Sequence, residues 1–264
     1  MFVIGELING MYKNVGRAII EKDKTIIQKI ALDQIRNGAD ALDLNCGPVS
    51  KDQITDMKWL IDSVQEVTDR TICIDSSKPS VIKESIRNAK NRVIINSTTA
   101  DDAKLEVLVG IAKEHNCELI ALAMDKKGIP QNKDQRLELA AKIVSYCLEK
   151  DFSVDKLYID PVVMPVDCAQ PQLKEILSSI REFKLLNEPA PKTVVGLSNI
   201  SQGMEDRSLV NRTFLIMAQN EGLDAAIMDP LDDKLMDGMI TAELILNKQI
   251  YCKAYIDAYR KSKI

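Results

Sequence analysis

Five acids and four amides of this chain are placed to act together: Glu6, Asp43, Asp75, Asp160 and Asp229, with Asn9, Asn45, Asn96 and Asn199. Each ends or closely follows a short apolar run, as in Cys73-Ile74-Asp75, Ile94-Ile95-Asn96, Tyr158-Ile159-Asp160 and Ile227-Met228-Asp229. The run Lys192-Thr193-Val194-Val195 stops in Gly196-Leu197-Ser198-Asn199, which adds a hydroxyl to the set. An apolar run ending in a polar side chain reads as a buried strand that delivers that side chain to a loop. No Lys, Arg or His belongs to this set. A phosphate site would draw on cations or glycine-rich loops. Carboxylates instead accept from ring N–H and exocyclic NH2 groups, and a carboxamide both donates and accepts. The set therefore suits a neutral heterocycle with mixed donors and acceptors. Taken singly, each Asp or Asn is equally suited to capping the helix that follows it.

Strand and helix patterns alternate along the chain and carry these residues. Phe2–Gly5 reads as a strand, Glu6–Gly10 as a polar turn, and about 22–37 as a helix stopped by Asn37-Gly38. Strands follow at 41–45, 71–75, 92–96, 119–124, 157–160, 193–197 and 225–229. Between them lie helical patterns. One carries Ile54, Met57, Leu60, Ile61, Val64 and Val67 on one face behind a Ser50/Gln53 capping box. Another opens on Pro79, and a third has Asp101 and Asp102 where a helix N-terminus favours negative charge. A helix is expected from about 173 to 186, another from about 209 to 221, and a last one from about 232 to 259. The strands are solidly apolar, as expected when both faces are buried. Eight βα units in 264 residues predict a single (β/α)8 TIM barrel, one domain over 1–264. A doubly wound open sheet is the alternative, weakened because no Gly-x-Gly-x-x-Gly or Gly-x4-Gly-Lys-Ser/Thr follows the first strand. In a parallel barrel all strand C-termini share one face, and ligands sit there.

Composition narrows the function classes. With a net charge of −4, 4% aromatics and no basic run, nucleic acid is a poor partner. No run of about 18 apolar residues exists to span a membrane, so a soluble cytoplasmic protein is expected. The six cysteines show no Cys-x-x-Cys spacing and read as buried reduced thiols rather than a zinc site. The single His115 ends a predicted helix and reads as a surface residue, which speaks against a His-dependent triad.

Several stretches together resemble the methyltetrahydrofolate:corrinoid/iron–sulfur protein methyltransferases over essentially the full chain. They include Ile4-Gly5-Glu6-Leu7-Ile8-Asn9-Gly10-Met11, Ala41-Leu42-Asp43-Leu44-Asn45, Leu157-Tyr158-Ile159-Asp160-Pro161 and Gly196-Leu197-Ser198-Asn199 with Ser201-Gln202. The folate-binding domain of cobalamin-dependent methionine synthase shares the shorter motifs. The resemblance implies a pterin-binding barrel in which Asp75, Asn96 and Asp160 hydrogen-bond the pterin ring. It implies that Asn199 lies near N5, which bears the methyl group, and that Ser198, Gln202 and Arg207 are further folate-side residues. Arg207 is equally suited to a helix start facing solvent. The implied reaction moves the methyl of 5-methyltetrahydrofolate to a Co(I) corrinoid in the reductive acetyl-CoA pathway. Asn199 is not itself a proton source, so a proton is expected through water and a network involving Asp75 or Asp160. No permanently bound cofactor is implied. The corrinoid comes with a partner, the corrinoid/iron–sulfur protein, because the one His is followed by Asn116-Cys117-Glu118 and fits no Asp-x-His-x-x-Gly cobalt-ligand motif. A homodimer is also implied.

Two other functions compete. Dihydropteroate synthase, another pterin barrel, predicts Ser-Arg-Lys after the seventh strand, where this chain has Ser198-Asn199-Ile200. A non-catalytic folate-binding barrel would keep the rim and lose turnover.

Overall fold

A strand's side chains alternate between its two faces, and here that alternation feeds two different cores. The structure, a computed structural model, describes residues 1–263. Its parallel strands are β1 (Phe2–Asn9), β2 (Ala41–Asn45), β3 (Thr71–Asp75), β4 (Val93–Thr99), β5 (Glu118–Leu122), β6 (Leu157–Asp160), β7 (Lys192–Gly196) and β8 (Ala225–Met228). They pair in sequence order, and β8 pairs with β1 to close the barrel. The doubly wound sheet is thereby excluded. Helices α1 (Lys13–Glu21), α2 (Lys24–Arg36), α3 (Gln53–Gln65), α4 (Pro79–Ile86), α5 (Asp102–Glu114), α6 (Lys133–Glu149), α7 (Val166–Ala169), α8 (Gln172–Phe183), α9 (Arg207–Asn220), α10 (Asp233–Ile245) and α11 (Tyr255–Ser262) surround it. Leu42, Leu44, Ile72, Ile74 and Ile95 point outward and pack with the helices. Ile4, Ala41, Cys73, Ile94, Ile120, Tyr158, Val194 and Ala225, one from each strand, fill the barrel interior.

Several sequence expectations change. The first strand runs on through Glu6–Asn9 instead of turning, because a bulge between Gly5 and Ile8 absorbs the extra residue. Buried Gln34 makes the bulge possible: its Oε1 accepts from Leu7 N at 3.0 Å. A Cβ on Gly5 would lie 2.3 Å from that oxygen. Helix α1 precedes the expected helix start, with Val15, Ala18 and Ile19 buried on one face. Lys22 is left-handed (φ 57°) and separates it from α2, which Asp23 caps. Asp52, not Ser50, caps α3, accepting from Thr55 N at 3.2 Å, while Ser50 Oγ donates to Asp56. Strand five ends at Leu122 rather than Met124, and β7 ends at Gly196 with Leu197–Asn199 forming a 3-10 turn. The last expected helix is two, α10 and α11, because Asn247 is left-handed (φ 58°). Cys46, Cys73, Cys117 and Cys147 are buried, but Cys168 and Cys252 are exposed, so the thiols are not all core residues. His115 caps the C-terminus of α5 and is half-buried. Among the described residues no helix is long and apolar enough to cross a membrane.

Candidate active site

The two-residue period of each strand builds the site. One step beyond the apolar interior ring, toward the strand C-termini, the interior positions are Glu6, Asp43, Asp75, Asn96, Leu122, Asp160, Gly196 and Ile227. An apolar floor is thus followed by a layer of acids and amides, opened on one side by a glycine. Asn45 and Asp229 lie a further step out. Asp43, Asn96 and Asp160 are buried, and Glu6 and Asp75 half-buried.

Their partners are neutral. Asn96 Nδ2 donates to Asp43 Oδ1 at 3.1 Å, and Asn45 Nδ2 donates to Asp75 Oδ2 at 2.6 Å. Asp160 Oδ1 accepts from Val162 N at 2.7 Å, across a backbone that turns left-handed at Val162 (φ 65°). Asp229 Oδ1 accepts from Leu231 N at 2.8 Å. Ser198 Oγ donates to Glu6 Oε1 at 2.6 Å. Among the described residues no ion pair reaches any of these five acids. Nor do they cap helices: the side chains that do so are Asp23, Asp52, Asp101, Asn132 and Asp232. Asn9 holds only its own turn, accepting from Met11 N at 2.9 Å.

Burial without a cation favours the protonated acid. Burial raises Glu6 to about 7, against the lowering effect of its Ser198 bond. Burial raises Asp160 to about 7 as well. Asp43 is driven well above the usual range by burial and then by the charge of Asp75, while burial raises Asp75 and Asp229. Near neutral pH such a mouth both accepts and donates hydrogen bonds.

Asn199 lies in the turn after β7 and is exposed. Among the described residues its carboxamide makes no hydrogen bond, while its backbone oxygen accepts from Gln202 N at 3.2 Å. A Cβ on Gly196 would lie 2.9 Å from Asn199 Nδ2, so the glycine leaves room for that amide to fold back over the strand end. Arg207 opens α9 and ties the turn down: Nη2 donates to Ser198 O at 3.1 Å and Nε to Ser201 Oγ at 3.1 Å. Gln202 is exposed beside it.

A model of the family described as pterin binding enzyme matches residues 14–229. The chain belongs to that family. It is 30% identical over 266 residues to the methylcorrinoid:tetrahydrofolate methyltransferase of Eubacterium limosum, covering 100% of this chain and 98% of that protein. It is 30% identical over 242 residues to the methionine synthase of Mycobacterium leprae, matching 86% of this chain but only 20% of the larger protein. Among solved structures, a Coxiella burnetii dihydropteroate synthase in complex with pteroic acid superposes with a TM-score of 0.71 at 16% identity, covering 94% of both chains. A Yersinia pestis dihydropteroate synthase gives a TM-score of 0.68 at 14% identity over 94% of each chain. At those identities the likeness shows the shared barrel.

The pterin-binding barrel brings Asp75, Asn96 and Asp160 into one interior layer and sets Ser198 and Asn199 on its edge, as their spacing suggested. Three further residues support the site: Gly196, Gln34 and Arg136. Gly196 could have been found, since a glycine ends the apolar run just before Asn199. Gln34 and Arg136 left no signal. Fully buried Arg136 donates through Nε to Pro161 O at 2.8 Å and through Nη2 to Gln172 Oε1 at 3.0 Å. It thereby fixes the backbone directly after Asp160, although in sequence it is one more charge on a helix.

Proposed function

We propose that the chain, as one pterin-binding barrel over residues 1–264, transfers the N5-methyl group of 5-methyltetrahydrofolate to the Co(I) corrinoid of a corrinoid/iron–sulfur protein. We further propose that it does so as a cytoplasmic homodimer in the reductive acetyl-CoA pathway. The observation that carries this reading is the interior layer of acids and amides, which no cation reaches among the described residues, beside the Asn199 carboxamide, which makes no hydrogen bond among them. Such a layer complements a pterin ring: Asp75 and Asp160 accept from its ring N–H and NH2 groups, and Asn96 does both. Half-buried Leu122 and Ile227 supply apolar contact. Gln202 and Arg207 contact the rest of the folate, Arg207 through Nη1, which makes no hydrogen bond among the described residues.

The corrinoid, a substrate brought by the partner, supplies the nucleophilic cobalt. The chain orients the methyl donor and favours departure of the amine. A tertiary amine leaves poorly unless its nitrogen is protonated or strongly hydrogen-bonded. Asn199 meets N5 through its NH2 or its carbonyl oxygen and so serves either protonation state, with Asp75 and Asp160 completing the network.

A second reading reverses the direction. The Eubacterium limosum relative is named for transfer from a methylcorrinoid to tetrahydrofolate, and the same groups would serve the reverse step. The deciding experiment is a spectroscopic methyl-transfer assay in both directions, run side by side with a corrinoid/iron–sulfur protein and free cobalamin. Formation of dihydropteroate from 4-aminobenzoate and dihydropterin diphosphate, without methyl transfer, overturns both readings. The homodimer is supported by an apolar groove of about 590 Å³ between α8 and α9, lined by Leu173, Leu177, Leu209, Phe214 and Met217. Sedimentation should return about twice the 29.5 kDa chain mass.

A further inference from the structure

Glu6 has no part in the network that Asn199, Asp75 and Asp160 form around the folate, yet it lies in the interior layer directly against the Asn199 turn. It comes from β1 and Ser198 from the turn after β7, 192 residues away, and barrel closure sets them 2.6 Å apart. What distinguishes Glu6 is the chemistry of its partner. Asp43, Asp75, Asp160 and Asp229 accept from amide N–H groups of Asn96, Asn45, Val162 and Leu231. An amide nitrogen donates but cannot take up a proton and pass another on. A hydroxyl accepts and donates at once. Asp43 also meets the Cys73 thiol, but that thiol belongs to the apolar floor one step below and burial holds it well above its ordinary range. Among the described residues the Glu6–Ser198 contact is the one place in this layer where a carboxyl meets a hydroxyl. Arg207 holds the Ser198 carbonyl and keeps that hydroxyl next to Asn199.

We propose that Glu6 is the proton source of the methyl-transfer reaction, delivering its proton through the Ser198 hydroxyl to N5 of the folate. This rests on the methyl-transfer reading, in which Asn199 faces N5. Glu6 gives its proton to Ser198 Oγ, and Ser198 gives its own to N5. The N5–methyl bond breaks with its electron pair remaining on N5, and the methyl joins cobalt through the electron pair that Co(I) contributes. The products are tetrahydrofolate with an N5–H and a Glu6 carboxylate, which solvent reprotonates. In the reverse direction the same relay removes the N5 proton. Glu6 acts through Ser198 and is a positioning and proton-supplying residue rather than a group that touches substrate.

The environment agrees with this assignment. Burial raises Glu6 to about 7, with the charge of Asp229 at the end of β8 adding to it and Arg207 from α9 opposing it. Asp43 from β2 and Tyr12 after β1 are the other titratable groups electrostatically linked to Glu6. Burial thus keeps the Glu6 carboxyl protonated to higher pH than an exposed glutamate, the direction that favours an acid catalyst near neutrality.

The test compares the full-length wild type with Glu6→Gln, which keeps an acceptor for Ser198 but has no acidic proton. Single-turnover transfer from methyltetrahydrofolate to reduced free cobalamin is followed across pH, alongside folate affinity. Burial raises Asp160 to about 7 as well, so the readout is the difference between the two proteins. Glu6→Gln should react ~100-fold more slowly on the acid side, lose its share of the fall in rate through about pH 7, and bind folate as before. Ser198→Ala should lose rate likewise, and Ser198→Thr should retain it. An unchanged pH profile in Glu6→Gln, or full activity in Ser198→Ala, overturns the proposal while leaving methyl transfer in place. A wild type that binds folate but transfers no methyl group in either direction overturns both. Infrared difference spectra of the wild type should contain a carboxyl band titrating at about 7 that is missing from Glu6→Gln; its persistence in the variant also overturns the assignment.

Discussion

The two ends of the barrel use acids in opposite ways. At the N-terminal end Glu118, Asp224 and Asp40 each meet a cation. Glu118 accepts from Lys192 Nζ at 2.7 Å, and that ammonium also lies 4.7 Å from the centre of the Tyr158 ring. Asp224 takes Lys184 Nζ at 2.7 Å together with Thr193 N at 2.7 Å, and Asp40 pairs with Lys263. At the C-terminal end Glu6, Asp43, Asp75, Asp160 and Asp229 have amides and one hydroxyl in place of cations. A paired acid is committed to stability. An acid held by neutral donors keeps capacity for a ligand, and burial lifts its pKa toward neutrality. This matches the division of labour in parallel barrels between a stabilising face and a reactive one.

That contrast can be broken from either end. The largest effect is expected at Asn199→Ala: the transfer rate should fall ~10²–10³-fold with folate affinity nearly unchanged, as when a donor to a transition state is removed. Equal losses in rate and affinity would show that the amide only binds.

The next effect is on stability. Glu6 is raised from its ordinary 4.5 to about 7, so the folded protein binds this proton more tightly than the unfolded chain does. Its favourable contribution is full below about pH 4.5 and is lost as pH rises through about 7. Thermal or urea unfolding should therefore show Glu6→Gln gaining on the wild type across that window, by an amount on the order of 3 kcal/mol. A stability difference that is flat with pH would remove the acid from the interior layer.

Asp160→Asn should weaken pterin binding by about 2 kcal/mol, as expected for a lost charge-assisted acceptor, and calorimetry would measure it. Unchanged affinity would free Asp160 from its assigned role. The smallest effect belongs to the opposite end: Asp224→Asn should cost about 1 kcal/mol of unfolding free energy and leave the transfer rate alone. A loss of rate there would erase the distinction between the two faces.

Much of the site is legible in the order of residues alone. Asp75, Asn96 and Asp160 each stand two residues beyond an interior apolar residue (Cys73, Ile94 and Tyr158), and a period of two needs no tertiary information. Asn199 is marked by the glycine and the abrupt end of an apolar run. Helix α1 is legible too, through Val15, Ala18 and Ile19, but the polar turn expected at Glu6–Gly10 hides the continuation of β1. That strand survives only because Gln34, from α2, satisfies the N–H that the bulge leaves over. Such a contact has no local signature.

The alternation of strands and helices and the ring of strand-end acids and amides are written into the residue order, and with them the donor and acceptor pattern offered at the mouth. Periodicity and side-chain chemistry are local properties, written residue by residue. Which acid meets which partner follows from long-range packing. Closing β8 onto β1 brings Glu6 to Ser198, and packing α6 against the loop after β6 brings Arg136 to the backbone behind Asp160. Whether an acid is stabilised as a charge or held near neutrality depends on those long-range neighbours and on burial.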